Sequence, residues 1–200
     1  MAESVLKNYS GQVNFRNLMF EEFAEAVQDI ETKLIQRFGF LRKEGIEPDF
    51  EMILASVDSK GKASMYLFDN KGLAEPVHYN PGFAIIGRGT ATGGVLLTRL
   101  LGYSVEESSE LDLGMLSTFV IDMVSEVDPS VGPFVGESVF MRILNGEVSM
   151  GSLKVEELRK YKKRVRVRKD LIKLMQKLCD QEEIKEEGVR SKLEELRSKK

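Results

Sequence analysis

Two short apolar runs joined by a tight turn constrain this chain most. Met52-Ile53-Leu54-Ala55-Ser56-Val57 and Ala63-Ser64-Met65-Tyr66-Leu67-Phe68 are separated by Asp58-Ser59-Lys60-Gly61 and followed by Asp69-Asn70-Lys71-Gly72. Short runs rich in β-branched and aromatic residues, punctuated by Asp and Gly, read as a β-hairpin and then a second turn. A third run, Phe83-Ala84-Ile85-Ile86, ends in Gly87-Arg88-Gly89 and opens into a helix over residues 90–101, stopped by Gly102. The block therefore reads strand, strand, strand, helix. The small first turn of that helix lets it sit close to the preceding strand.

On either side the periodicity changes from two to three and four. Between residues 18 and 38, Phe20, Phe23, Val27, Ile30, Leu34 and Phe38 recur at helical steps with acidic residues between them, and the acids cluster early, where the helix dipole favours them. Gly39, Gly45 and Pro48 are read as its end. Downstream, Ser104 is an N-cap candidate with Glu106 and Glu107 in the first turn and a break near Gly114. Leu113, Leu116, Val120, Met123 and Val127 continue at helical spacing, widened by Leu111, Phe119 and Val124. So broad an apolar face suits a helix lying flat on a sheet. Asp128-Pro129 ends it, because the residue before proline avoids the helical region. Residues 134–144 read as a strand, and Asn145-Gly146 followed by Glu147-Val148-Ser149-Met150 as a hairpin. That makes at least five strands and two long helices before residue 153. Residues 1–17 are polar, with a turn at Tyr9-Ser10-Gly11.

The last quarter differs in charge. Residues 1–153 hold 12 Lys and Arg against 22 Asp and Glu, whereas residues 154–200 hold 17 against 10, so a net −3 chain divides into an acidic body and a basic tail. Two regions follow: a body, 1–153, and a helical tail, 154–200. In the tail Leu158, Tyr161, Val165, Ile172, Met175 and Cys179 keep a three-four spacing, broken at Arg168. Residues 160–169 carry Lys160, Lys162, Lys163, Arg164, Arg166, Arg168 and Lys169. This block fits a solvated helix face, docking on the acidic body or a neighbouring subunit, or a nucleic acid or other anionic surface. Residues 180–200 are nearly all charged and read as a frayed or disordered end.

Composition narrows the chemistry. At 42% hydrophobic residues, 200 residues suffice for one ordinary core. No apolar run reaches the roughly 18 residues of a membrane span, and Met1-Ala2-Glu3-Ser4 lacks a secretory layout, so a cytoplasmic protein without membrane association is expected. One cysteine, Cys179, and one histidine, His78, support neither a disulfide nor a His-rich metal site. They are read as a packed thiol and a surface imidazole rather than a catalytic pair. No metal and no cofactor is expected.

The order of motifs resembles the second half of a proteasome-type, N-terminal nucleophile hydrolase subunit. The matching pieces are Val57-Asp58, Gly61, Met65-Tyr66-Leu67-Phe68-Asp69, Gly72, Ile86-Gly87-Arg88-Gly89, Asp128-Pro129-Ser130-Val131-Gly132 and the run from Val139 to Met150. The resemblance covers roughly residues 50–150. It implies an α+β fold, a four-layer α/β/β/α sandwich of antiparallel sheets lacking the first strands, with a C-terminal helical tail. In such subunits a processed N-terminal Thr, Ser or Cys is the nucleophile and its own amine the base, with a pKa of about 8. Here the strand bearing that nucleophile is not found. By the resemblance Asp128 is the acid that supports the nucleophile, and Ser130 stands one place before the expected hydroxyl position, which is Val131. Arg88 stands where active members often have a serine, and with Gly89 it is a candidate anion-binding turn at a helix start.

The reading that follows is a proteasome-like protein that is non-catalytic and acts in assembly or regulation, as a homo-oligomer or with related subunits. Two alternatives stand beside it. One is the C-terminal part of an amide-bond hydrolase, a threonine- or serine-type peptidase, whose nucleophile lies upstream. The other is nucleic-acid or anionic-surface binding through the basic tail.

Overall fold

The computed structural model describes residues 18–97, 101–106, 111–132, 138–145 and 147–179. The expectations for residues 1–17, residues 180–200, Glu107 and Gly146 lie outside them. The fold is α+β, with helices around two small antiparallel sheets.

Helix α1 (Phe20–Lys43) is longer than its periodicity suggested. Gly39 meets nothing within 4 Å and simply continues the helix. The stop comes at Gly45, at φ +75°, where the Ile46 N–H donates to the Leu41 carbonyl at 2.9 Å. A backward bond of this kind at a left-handed glycine closes the last turn. At the other end Glu22 reaches back to accept the Met19 N–H at 2.8 Å. The apolar stripe read from sequence is the buried one: Phe23, Val27, Ile30, Leu34 and Phe38 face inward.

They cover a three-stranded meander, β1 (Met52–Val57), β2 (Ala63–Phe68) and β3 (Ala74–Pro76), ordered β1-β2-β3. Leu54 pairs with Tyr66 and Met52 with Phe68 in the β1–β2 register, and all four pack on α1. The two turns are twins. Asp58 Oδ1 accepts the Lys60 and Lys62 N–H groups, and Asp69 Oδ1 accepts those of Lys71 and Leu73, at 2.8 to 2.9 Å. Gly61 and Gly72 each take φ +88°, which only glycine adopts without strain. The second turn also touches α1: a Cβ on Gly72 would lie 3.0 Å from Leu34, and the Ala74 N–H donates to Glu31 at 2.8 Å.

The third strand is therefore residues 74–76, not residues 83–86. The Asp69 turn returns the chain at once beside β2, and that pairing leaves the later run no place on the same edge. Residues 83–86 instead form an unpaired connector whose Phe83 and Ile85 pack with Leu116, Val120 and Val124. Helix α2 (Thr90–Val95) is short and passes into a wider turn, with the Leu101 N–H donating to the Leu96 carbonyl at 3.1 Å. Its close approach to the connector is as expected, because a Cβ on Gly93 would lie 2.8 Å from Ile85. His78 is half-buried rather than a surface group, ringed by Phe20, Tyr66 and Tyr79 at centroid distances of 4.5 to 5.5 Å.

Helix α3 (Leu113–Val127) begins at Asp112, not Ser104: the Asp112 carboxylate accepts the Met115 N–H at 3.1 Å. Gly114 is no break. It makes room for Tyr161, whose ring would lie 2.9 Å from a Cβ there. Nor does the broad apolar stripe lie on a sheet. It is shared between the connector side (Leu116, Val120, Val124) and a second helix, α4 (Val155–Cys179), which covers Met115 and Phe119 with Val165, Tyr161 and Ile172. Between them runs the hairpin β4 (Val139–Leu144) and β5 (Glu147–Ser152), which lies beside β1.

Candidate functional site: an open apolar cleft and an ionic helix seam

Strands β1 and β2 are apolar on both faces. Leu54, Tyr66 and Phe68 turn to α1, while Ile53, Met65 and Leu67 turn the other way and are half-buried. Runs of this kind belong to strands covered on both sides. The far side here holds a cleft of about 670 Å³, bounded by Ile53 and Met65, the connector at Phe83 and Ile85, and Leu116, Val120 and Val124 of α3. Few polar groups enter it. Tyr103 donates its hydroxyl to the Gly82 carbonyl at 3.1 Å, and Ser117 donates to the Leu113 carbonyl at 2.8 Å.

Of the residues singled out from sequence, Arg88 and Gly89 lie at this cleft, whereas Asp128 and Ser130, in the turn just before Val131, do not line it. Arg88 and Gly89 line it together with Val131 and Gly132, and a Cβ on Gly89 would lie 2.6 Å from Val124 and 3.2 Å from Val131. Asp128 Oδ1 accepts the Ser130 hydroxyl at 2.5 Å and the Ser130 N–H at 2.9 Å, an Asx turn that closes α3. These two bonds, with the nearby Arg88 charge, hold the Asp128 carboxyl below the usual carboxylate range. A carboxylate so stabilised is a weak base.

The anion cradle expected at Gly87-Arg88-Gly89 is already engaged within the chain. The Gly87 N–H donates to Glu51 Oε2 at 2.8 Å, Thr90 donates its hydroxyl to the Gly87 carbonyl at 2.6 Å, and α2 has only six residues. Arg88 itself is exposed.

The basic tail meets the acidic body along the α3–α4 seam. Arg164 donates to Asp112 Oδ2 at 2.7 Å. Lys169 is bound by Asp122 and, at 2.7 Å, by Glu126 Oε1. Arg168, the residue that breaks the tail's apolar spacing, places its guanidinium 5.2 Å from the Phe119 ring centre, a favourable cation–π position. Burial alone would lower the Lys169 pKa, but bonds to the two carboxylates overcome it and raise the ammonium above its ordinary value. For Asp112 burial acts upward, and the Met115 N–H, Arg164 and Tyr161 together hold it low. The Tyr161 hydroxyl is raised by burial and by Asp112. Of the remaining tail cations, Lys160, Lys163 and Arg166 are exposed and Lys162 is half-buried. A groove of about 490 Å³ beside Lys169 mixes Lys162, Arg166 and Lys173 with Asp122, Glu126 and Asp170, so it presents both signs of charge.

The cleft wall as a whole has no signature in the sequence, because it is assembled from segments far apart in the chain. One signal pointed to it: strands without a polar face. Among the described residues no group of three His, Cys, Asp or Glu side chains is arranged to hold a metal ion, and no helix is long and apolar enough to cross a membrane. No protein-family model matches this chain, and no curated protein matches it.

Proposed function

We propose that the chain is a non-catalytic, proteasome-like assembly or regulatory subunit, in which the apolar cleft receives β-strands of a related partner subunit. One observation carries the reading: β1 and β2 are apolar on both faces, yet α1 covers only one. In an α/β/β/α sandwich a second sheet fills that layer. On this reading the cleft is the place of that second sheet. Unpaired strand edges and uncovered apolar faces are what a partner chain satisfies. The one described carboxylate bonded to Ser130, Asp128, is a weak base, which favours the non-catalytic reading.

A second reading has one specific support. Asp128 and Ser130 form the turn that leads into Val131 of the same cleft, and an amide-bond hydrolase of this kind keeps its supporting acid beside the strand that carries the nucleophile. In that case the strands that fill the cleft also bring the reactive amine.

The test combines native mass spectrometry of the full chain mixed with related layered subunits and hydrolysis assays on peptide amides. Complexes that form, hydrolyse nothing and are lost on Val120→Lys support the assembly role. Turnover that appears with the complex favours the second reading. A chain that binds no such subunit overturns both.

A further inference from the structure

The two edges of the β1-β2-β3 sheet are unlike. The β3 edge is three residues long and carries Glu75 and Pro76, a charge and a residue without an N–H, both of which block a strand edge. The β1 edge is six residues long and reads Met52-Ile53-Leu54-Ala55-Ser56-Val57, with neither a charge nor a proline. Its outward groups follow from the register. The Asp58 N–H donates to the Lys62 carbonyl at 3.0 Å, so those two residues form a hydrogen-bonded pair, and the alternation of an antiparallel ladder then bonds Ser56 and Leu54 to β2. Ile53, Ala55 and Val57 turn their N–H and C=O groups to the free edge, and among the described residues nothing bonds to them there.

This edge opens into a slot of about 300 Å³ lined by Leu54, Ala55, Ser56 and Val57. Phe23 of α1 backs it on one side. Met141, Val148 and Met150, which share one face of the β4–β5 hairpin, form the other wall. The hairpin thus turns a face to β1 and leaves the edge unpaired, and Met150 stays 57% exposed. No charged side chain lines the slot, so it has nothing to hold an anion or a cation. What it presents is a row of backbone donors and acceptors between apolar walls, over about 13 Å of strand. An extended peptide satisfies both at once, with its amides on the edge and alternate apolar side chains on the walls.

We propose that the β1 edge is a docking site for an extended, uncharged segment of a partner protein, which adds as a strand beside β1 and sets apolar side chains between Phe23 and Met150. The main chain supplies the affinity and the two walls the preference for apolar residues. The slot shares no residue with the cleft, and the proposal stands apart from the function proposed above.

The test is amide hydrogen exchange of the full chain followed by NMR, with and without a capped peptide of alternating valine and threonine flanked by lysines. In the free chain the Ala55 and Val57 amides exchange fast and the Ser56 amide, bonded to β2, exchanges slowly. Saturating peptide slows Ala55 and Val57 at least about tenfold. The same peptide with methylated amide nitrogens does not bind, because it keeps the side chains and loses the donors. Ala55→Pro weakens binding at least about tenfold, while slow Ser56 exchange shows the β1–β2 ladder intact, since the N–H removed is one that faced the free edge. Met150→Glu, at an exposed position of the other wall, weakens it as well and tests the slot without altering β1. A chain that does not bind the peptide overturns the proposal. So does equal binding of the methylated peptide, or binding indifferent to both substitutions. Ala55 and Val57 amides already protected in the free chain also overturn it, since another segment of this chain or a second copy then covers the edge.

Discussion

Replacing Lys169 by Met tests whether the ionic seam holds the tail to the body. Lys169 is 13% exposed, Asp122 29% and Glu126 61%. A unit pair at about 4 Å is worth on the order of 4 kcal/mol at an effective dielectric of about 20, and about 1 kcal/mol in water. The pair of half-buried Lys169 and half-buried Asp122 lies nearer the first case, and the exposed Glu126 nearer the second. Desolvation and the ordering of a long side chain offset most of either gain. The variant also leaves Asp122 and Glu126 as like charges four residues apart on one helix, which costs a few tenths of a kcal/mol. Methionine keeps the aliphatic stem. The net expectation is a loss of about 1 to 2 kcal/mol in urea unfolding followed by ellipticity. A double-mutant cycle with Asp122→Asn returns a coupling of about 1 kcal/mol, and one with Glu126→Gln about half that. A coupling below about 0.3 kcal/mol for Asp122 would refute the reasoning, since the seam would then be no stronger than a surface pair.

Two further outcomes follow from the same helix pair. Gly114→Ala drives a Cβ to 2.9 Å from the Tyr161 ring and hydroxyl, so despite the better helix propensity of alanine it lowers stability by about 1 to 2 kcal/mol; a stabilised variant in the same urea titration would show that the two helices yield freely. The pH profile of unfolding is flat through neutrality and falls at both ends. Asp112 is held low, so its contribution is complete above its unfolded pKa near 4 and lost as pH falls through the lower folded value. Lys169 is raised, so its contribution is complete below its unfolded pKa of about 10.4 and lost as pH rises through the folded value. Midpoints measured from acid to alkali, with Asp112→Asn and Lys169→Met as references, check both limbs. A limb that survives its reference substitution contradicts the assignment.

Part of the cleft's lining was marked in the sequence. Asp128, Ser130, Arg88 and Gly89 stood out by motif order; Arg88 and Gly89 line the cleft, and Asp128 is bonded to Ser130 in the turn before Val131. What each does there was not legible, because it depends on hydrogen bonds made after folding. Gly87 offers its N–H to Glu51, 36 residues away, and no spacing rule reports a bond of that span.

Local chemistry decided the elements. The α1 stripe, the twin Asp-x-x-Gly turns, the first hairpin and the helical tail follow from side-chain period and from the few residues that tolerate positive φ, and these properties travel with the sequence itself. Competition between segments decided the rest. Residues 83–86 had strand character, but residues 74–76 reached the β2 edge first. Helix α3 had a stripe broad enough for a sheet, and the docked tail took half of it. Such outcomes turn on which distant surface offers the larger burial or the better-matched charge, and that comparison exists only once the chain has brought those surfaces together.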